Sequence, residues 1–361
     1  MTVSTETSEA GGGSRLAAAA MDELRCNGLT YGLVGALLAA SLARAALTGE
    51  PFLPFLEMYA LRAQKAAILI AGAAIVILLI RAVIRDRQAP MREFVRSLSL
   101  RSLPAALARY IAGIAVLVVM MAAFLFNKML IPDLVPFSWD PTFAEWDRLL
   151  FAGNHPWELL NPLLGYPLAT RFFDMAYTIW IPLVFLFWVG VLSPKVPAAL
   201  RRQYWLATVV SWIVIGLVLA TVFSSAGPCY FTQVAPGVPS PYAGLDAYLA
   251  SVDRVHGLMA VDMKQYLWAI YTDRLEAPGG ISAMPSMHNA QAALFAVLAF
   301  RLDRRLGYLF SAYAFVIFIG SILLGWHYAV DGIAGVVLAL IIWKAVEWYL
   351  GRAGSPEAVA A

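Results

Sequence analysis

Two of the four histidines in this chain lie in strings whose residue types and spacing could do chemistry. The first string is Ala283-Met284-Pro285-Ser286-Met287-His288, and the second is Gly325-Trp326-His327-Tyr328-Ala329-Val330-Asp331. Each places an imidazole at the expected end of an apolar helix. Residues four apart stack on one helix face, so Asp331 can accept the N–H of one His327 nitrogen and leave the other bare. That is the arrangement of an oriented nucleophile. His288 falls one turn into a helix that starts near Pro285, where it can act as a proton donor. The free N–H groups at such a helix start attract anions, phosphate above all. Gly279, Gly280 and Ser282 permit close backbone approach, and Ser282 or Ser286 can cap the helix. His288, His327 and Asp331 can thus serve as acid, nucleophile and orienter in phosphoryl transfer. The same three could instead ligate zinc, but no third nitrogen or sulfur ligand stands at a fitting spacing. No metal and no cofactor is expected. His155 and His256 read as ordinary interfacial residues.

The elements that must position this trio are membrane helices. The chain has 361 residues, of which 61% are hydrophobic and 14% charged. Soluble domains carry about a quarter charged residues. Apolar runs near 27–47, 66–84, 107–126, 170–192, 204–224, 285–300, 306–325 and 328–349 are the candidate spans. Backbone groups in hydrocarbon must be bonded internally, so the runs should be helical. The expected fold class is all-α, a polytopic membrane helix bundle of about eight transmembrane helices.

Orientation follows from Lys and Arg. Connections 81–109, 193–203 and 301–305 are basic and alternate correctly, so they face the cytoplasm. Both histidine strings then face the extracytoplasmic side, which for a bacterial host is the outer face of the inner membrane. The basic segment Arg85 to Arg109 sets topology and can touch anionic lipid. Nothing points to nucleic acid, and nothing specifies a protein partner. Cys26 is expected inside and Cys229 outside, so the two should not pair.

The expected organisation is a cytoplasmic tail at 1–25, an N-terminal pair of spans with a basic inner-face segment at 26–106, a six-span core at 107–350 and a loose tail at 351–361. Two outward loops exceed simple connectors. In the first, Pro141 to Phe151 reads as a short helix with Phe143, Trp146, Leu149 and Leu150 on one face and Glu145, Asp147 and Arg148 elsewhere. It can lie in the headgroup belt or cover a lipid-sized pocket. In the second, Leu245 to about Leu275 is compatible with a helix.

Together the two strings resemble the second and third signature motifs of the type 2 phosphatidic acid phosphatase superfamily. The closer likeness is to its inositol phosphorylceramide synthase-like branch, which Ser225-Ala226-Gly227-Pro228-Cys229-Tyr230 also resembles in place of the first motif. The resemblance covers roughly 107–350 and implies a six-helix lipid phosphatase-like core. It implies that His327 forms a phosphohistidine, Asp331 orients it, His288 protonates the leaving oxygen, and water or a lipid alcohol takes the phosphoryl group. Gly227, Pro228 and Tyr230 would then border the substrate, with Gly280, Ser282 and Ser286. The superfamily's phosphate-gripping Lys and Arg-Pro have no match near Ser225 to Tyr230, and the Arg seven residues before the aspartate-paired histidine is also missing. Arg254, Lys264 and Arg274 are the candidate replacements, with Arg171 near Asp174 as another. The expected substrate is a phospholipid or lipid phosphate, with a lipid alcohol as possible acceptor. Transfer of a phosphate-linked headgroup is the leading activity, and hydrolysis of a lipid phosphate or polyprenyl diphosphate is the alternative. A lipid transporter without chemistry would place its ionisable residues near mid-bilayer, whereas here they gather at span ends.

Overall fold

The computed structural model describes residues 27–97, 103–193, 195–273 and 277–353. The N-terminal tail expected at 1–25, Cys26 and Arg274 lie outside these residues. Among the described residues there are helices and no strands. In chain order they are α1 (Gly28–Thr48), α2 (Leu53–Arg85), α3 (Pro90–Ser97), α4 (Leu103–Lys128), α5 (Asp140–Leu150), α6 (Pro156–Leu164), α7 (Pro167–Thr178) and α8 (Trp180–Gly190). They continue with α9 (Ala198–Val222), α10 (Ala243–His256), α11 (Met259–Asp273), α12 (Met287–Leu302), α13 (Arg304–Leu323) and α14 (Ala329–Ala353). Short turns of helix complete the connections.

Seven segments are long and apolar enough to cross a membrane, and the chain is an integral membrane protein. They are α1, α2, Arg109–Leu134 containing most of α4, α7 with α8, α9, α13 and α14. The eighth run, expected at 285–300, forms the 16-residue α12. At 1.5 Å per residue it is about 24 Å long, short of the ~30 Å hydrocarbon core. It tolerates this because protein surrounds it: α9, α13 and α14 all pack on it. Its buried face is largely alanine, with Ala290, Ala292, Ala293, Ala296 and Ala299, and small residues let membrane helices approach closely. Gly335 of α14 comes close to its backbone, where an added Cβ would stand 2.3 Å from the Ser286 carbonyl oxygen. Gln291 is the polar tie in this layer. It accepts the Trp212 indole N–H at 3.1 Å and donates to the Tyr204 hydroxyl at 3.2 Å.

The span expected at 170–192 is present as Pro167–Gly190, built of α7 and α8, which meet at Ile179. Three local expectations need correction. The stretch from Leu245 is also two helices, because Gly257 turns with φ +65° and ends α10. α14 continues through Gly351 to Ala353, so the C-terminal tail begins later than expected. On α5, Phe143 is buried while Trp146, Leu149 and Leu150 are exposed, and Asp147 points inward rather than to solvent.

That inward turn belongs to a pattern on this side of the bundle. Asp147 accepts the N–H groups of Ala329 and Val330 at 2.8 and 2.9 Å, capping α14. Asp140 accepts those of Ala226 and Gly227 at 2.9 and 2.8 Å, and the Tyr328 hydroxyl at 2.9 Å. Asp174 accepts those of Met259 and Ala260 at 3.0 and 2.8 Å, capping α11. Helix starts leave N–H donors unpaired, and a carboxylate there satisfies both the bond and the helix dipole. Three aspartates thus staple the loop helices to the bundle.

Candidate active site

The strings flagged in the sequence meet at one end of the bundle, and the backbone joins them. Ser225 accepts Ala283 N–H on its carbonyl at 2.9 Å and Met284 N–H on its hydroxyl at 3.1 Å. Cys229 N–H donates to the Gly325 carbonyl at 2.9 Å, and Ser286 N–H to the Asp331 carbonyl at 3.0 Å. The 225–230 string therefore bridges both histidine strings. Gly227 permits this contact: its φ is +102°, and a Cβ there would stand 2.6 Å from the Trp326 carbonyl oxygen. The Cys229 thiol is an inert bystander, since burial pushes it up to about 12.

Ser286 caps α12. Its hydroxyl accepts Asn289 N–H at 3.4 Å and the Asn289 side-chain amide at 3.0 Å. Two residues into the cap, His288 is held between aromatic rings. Tyr177 stacks on it at 4.3 Å between centroids, Trp180 lies 4.1 Å away, and the Trp180 indole donates to the His288 carbonyl at 3.1 Å. The turn before α14 is fixed by the Ser321 carbonyl, which accepts the Trp326 and His327 N–H groups at 2.9 and 3.1 Å. His327 and Asp331 are both buried. His327 Nδ1 stands 3.4 Å from Asp331 Oδ2, an ion-pair distance without hydrogen-bond alignment. The other claim on that oxygen is the Tyr328 N–H at 3.1 Å, and Oδ1 is unpaired. The two imidazole centroids are 5.9 Å apart. Burial, with the Lys128 ammonium adding to it, pushes His327 down to about 3, so the ring is neutral at ordinary pH.

Both rings line a cavity of about 600 Å³. Its walls are mostly apolar and aromatic, which suits a lipid. Of the residues expected around the substrate, Tyr230, Gly280 and Ser282 line it. Gly227, Pro228 and Ser286 stand behind the wall, where they hold the strings together. Arg254 is exposed and donates to the Ala250 carbonyl at 3.3 Å. Arg171 is also exposed. Lys264 faces a neighbouring cavity of about 380 Å³, 5.7 Å from the Trp326 ring centroid. No residue of α5 lines the main cavity; the loop residues that close it come from α11 and from 278–285.

Sequence reasoning passed over Lys128, Tyr177 and Trp180, which do line the cavity. Tyr177 and Trp180 read as ordinary apolar span residues, and nothing in their spacing sets them apart. Lys128 carried one signal, a cation at the outward end of a span, against the basic-inside pattern.

Apolar helices around a chamber lined by two imidazoles, one of them backed by a buried carboxylate, define a helical membrane protein with a built polar site. The family model of the PAP2 superfamily matches residues 141–345, more than half of the chain, and the chain belongs to that superfamily. Its members are phosphatases and phosphotransferases, so the protein is an enzyme of lipid phosphatase type. No curated protein and no solved structure matches the chain.

Proposed function

We propose that the enzyme moves a phosphate-linked headgroup from one lipid to another through a phosphohistidine, in the manner of the phosphosphingolipid synthases its strings resemble. The observation that carries this reading is the pair of imidazoles 5.9 Å apart in one cavity, with Asp331 beside only His327. The neutral His327 attacks phosphorus, forming an N–P bond as the P–O bond to the leaving group breaks. His288, which takes up a proton from water as the anionic ester binds beside it, gives that proton to the leaving oxygen. An incoming hydroxyl then attacks phosphorus, its proton returns to His288, and the N–P bond breaks. Asp331 steadies the cationic ring that forms when His327 is phosphorylated.

Transfer and hydrolysis differ only in the incoming hydroxyl. Absence of the superfamily's Lys and Arg-Pro pattern and a cavity far larger than a phosphate favour a lipid alcohol. Family membership alone favours neither. Supplying labelled phospholipid with and without a lipid alcohol decides: a new labelled phospholipid means transfer, and a water-soluble labelled phosphate or headgroup phosphate means hydrolysis. On this reading the active site faces the extracytoplasmic side, at the level of the outer headgroups.

A further inference from the structure

The cavity holds more positive charge than the histidine chemistry needs. Lys128, at the end of α4, lines it together with Arg62 of α2. Neither cation makes an ion pair with a described residue. Asp174 is the carboxylate on the cavity wall, and both its oxygens are taken by the N–H groups of Met259 and Ala260. A half-buried ammonium without a counter-ion is costly, several kcal/mol in order of magnitude, and ionisable groups in membrane segments mark ligand sites. The loop that closes the cavity lies directly on the Lys128 stem: a Cβ at Gly280 would stand 3.4 Å from Lys128 Cγ. The cavity also contains buried donors with no partner, the Tyr177 hydroxyl and the Trp326 indole N–H.

Arg62 sits at the matching depth. α2 has 33 residues, about 50 Å of helix, and its uninterrupted apolar run begins only at Ala66. The first turns therefore rise above the hydrocarbon. There the Arg62 guanidinium lies 5.2 Å from the Tyr59 ring centroid, on the cavity rim.

We propose that Lys128 in the cavity and Arg62 at its rim form the phosphate-gripping site, with the unpaired Tyr177 hydroxyl as a further donor. Both cations lie outside the segment 141–345 that matches the family model. α2, one of the N-terminal pair of helices, is then part of the substrate site. The ligand class is a phosphate mono- or diester, and the apolar wall adds affinity when the ester is a lipid. This inference rests on the reading that the cavity takes a phosphate-bearing substrate.

The test is ligand binding to the full chain in detergent micelles, read as a thermal-shift titration. The probes are dioctanoyl phosphatidic acid, dioctanoylglycerol as its uncharged counterpart, and inorganic phosphate as competitor. Lys128→Met should weaken the phosphatidic acid about tenfold, Arg62→Gln about threefold, and Lys128→Arg less than either. Arg254→Gln, at an exposed position off the cavity wall, should bind as the unmodified chain does. Competition by inorganic phosphate that disappears in Lys128→Met supports recognition of the bare anion. Lys128-dependent lipid binding without such competition supports recognition of the headgroup only in its lipid. Equal binding by dioctanoylglycerol, or unchanged binding in Lys128→Met, overturns the proposal. If Lys128→Met does not fold, unchanged binding in Arg62→Gln overturns it. A chain that binds phosphatidic acid through Lys128 but turns nothing over would sink the catalytic reading and leave this one standing.

Discussion

Two buried polar regions lie within the same end of this bundle, and they treat their polar atoms oppositely. In the first, Asp140, Asp147 and Asp174 each bond two backbone N–H groups, with every carboxylate oxygen used. In the second, His327 Nδ1, Asp331 Oδ1, the Tyr177 hydroxyl and the Trp326 indole N–H are buried without partners. Buried polar groups are normally satisfied, so a cluster of exceptions needs a reason. The first region stabilises the fold. On the function proposed above, the second keeps its hydrogen-bonding capacity open for a ligand. Substitutions should therefore separate: losses in the first region lower stability and activity together, and losses in the second lower activity with the fold kept.

The largest effect should come from His327→Ala, which removes the nitrogen proposed to attack phosphorus. We expect roughly a 10⁴-fold loss of lipid phosphoryl turnover, with an unfolding midpoint within a few degrees of the unmodified protein. Turnover that survives in His327→Ala breaks the phosphohistidine scheme outright. Asp331→Asn keeps the shape and removes the charge. It should lose about 10²- to 10³-fold in turnover, measurable as slower formation of acid-labile phosphoprotein after a rapid quench. If the loss appears only as a weaker substrate KM, Asp331 does not orient His327.

In the other region, Asp147→Ala leaves the Ala329 and Val330 N–H groups buried and unpaired. This should cost about 2–4 kcal/mol and lower the denaturation midpoint, with turnover falling in proportion to the folded fraction. A loss of turnover at full stability would place Asp147 in the chemistry and erase the distinction drawn here.

Acid titration gives a smaller but directional effect. His327 is held down to about 3 in the folded chain, whereas an unfolded histidine titrates near 6.5. Below about pH 6.5 the unfolded state binds the additional proton, so stability falls as pH drops through that window towards 3. The contribution above pH 6.5 is fully present. Between pH 6.5 and pH 5 the loss is on the order of 1–2 kcal/mol. His327→Gln should flatten that slope in melting curves taken from pH 7.5 to 5; an unchanged slope would mean another group carries it. Cys229→Ala should change turnover least of all, because the half-buried thiol is held protonated at neutral pH.

How far the sequence could be read differs between the same two regions. The histidine strings announced themselves, because an i, i+4 pair and a proline-started helix are local patterns. The stapling aspartates did not. Asp147 looks like one charge on the polar side of a short helix, and only its contact with Ala329 and Val330, more than 180 positions away, shows its role. Lys128 gave only the signal of its place at a span end, because its meaning depends on Gly280 crossing above it and on the lack of a free carboxylate among the described residues lining the cavity.

The chain's apolar run lengths and its basic connections determined a helical membrane protein, since hydrocarbon leaves the backbone no other way to satisfy itself. The local strings likewise determined which imidazole has a carboxylate four residues on. Tertiary structure alone decided that the two rings share one chamber and that a helix near the N-terminus supplies part of its wall. It also decided which charges are consumed in holding the fold. Those outcomes depend on contacts between residues far apart in the chain, and spacing along a sequence carries no record of them.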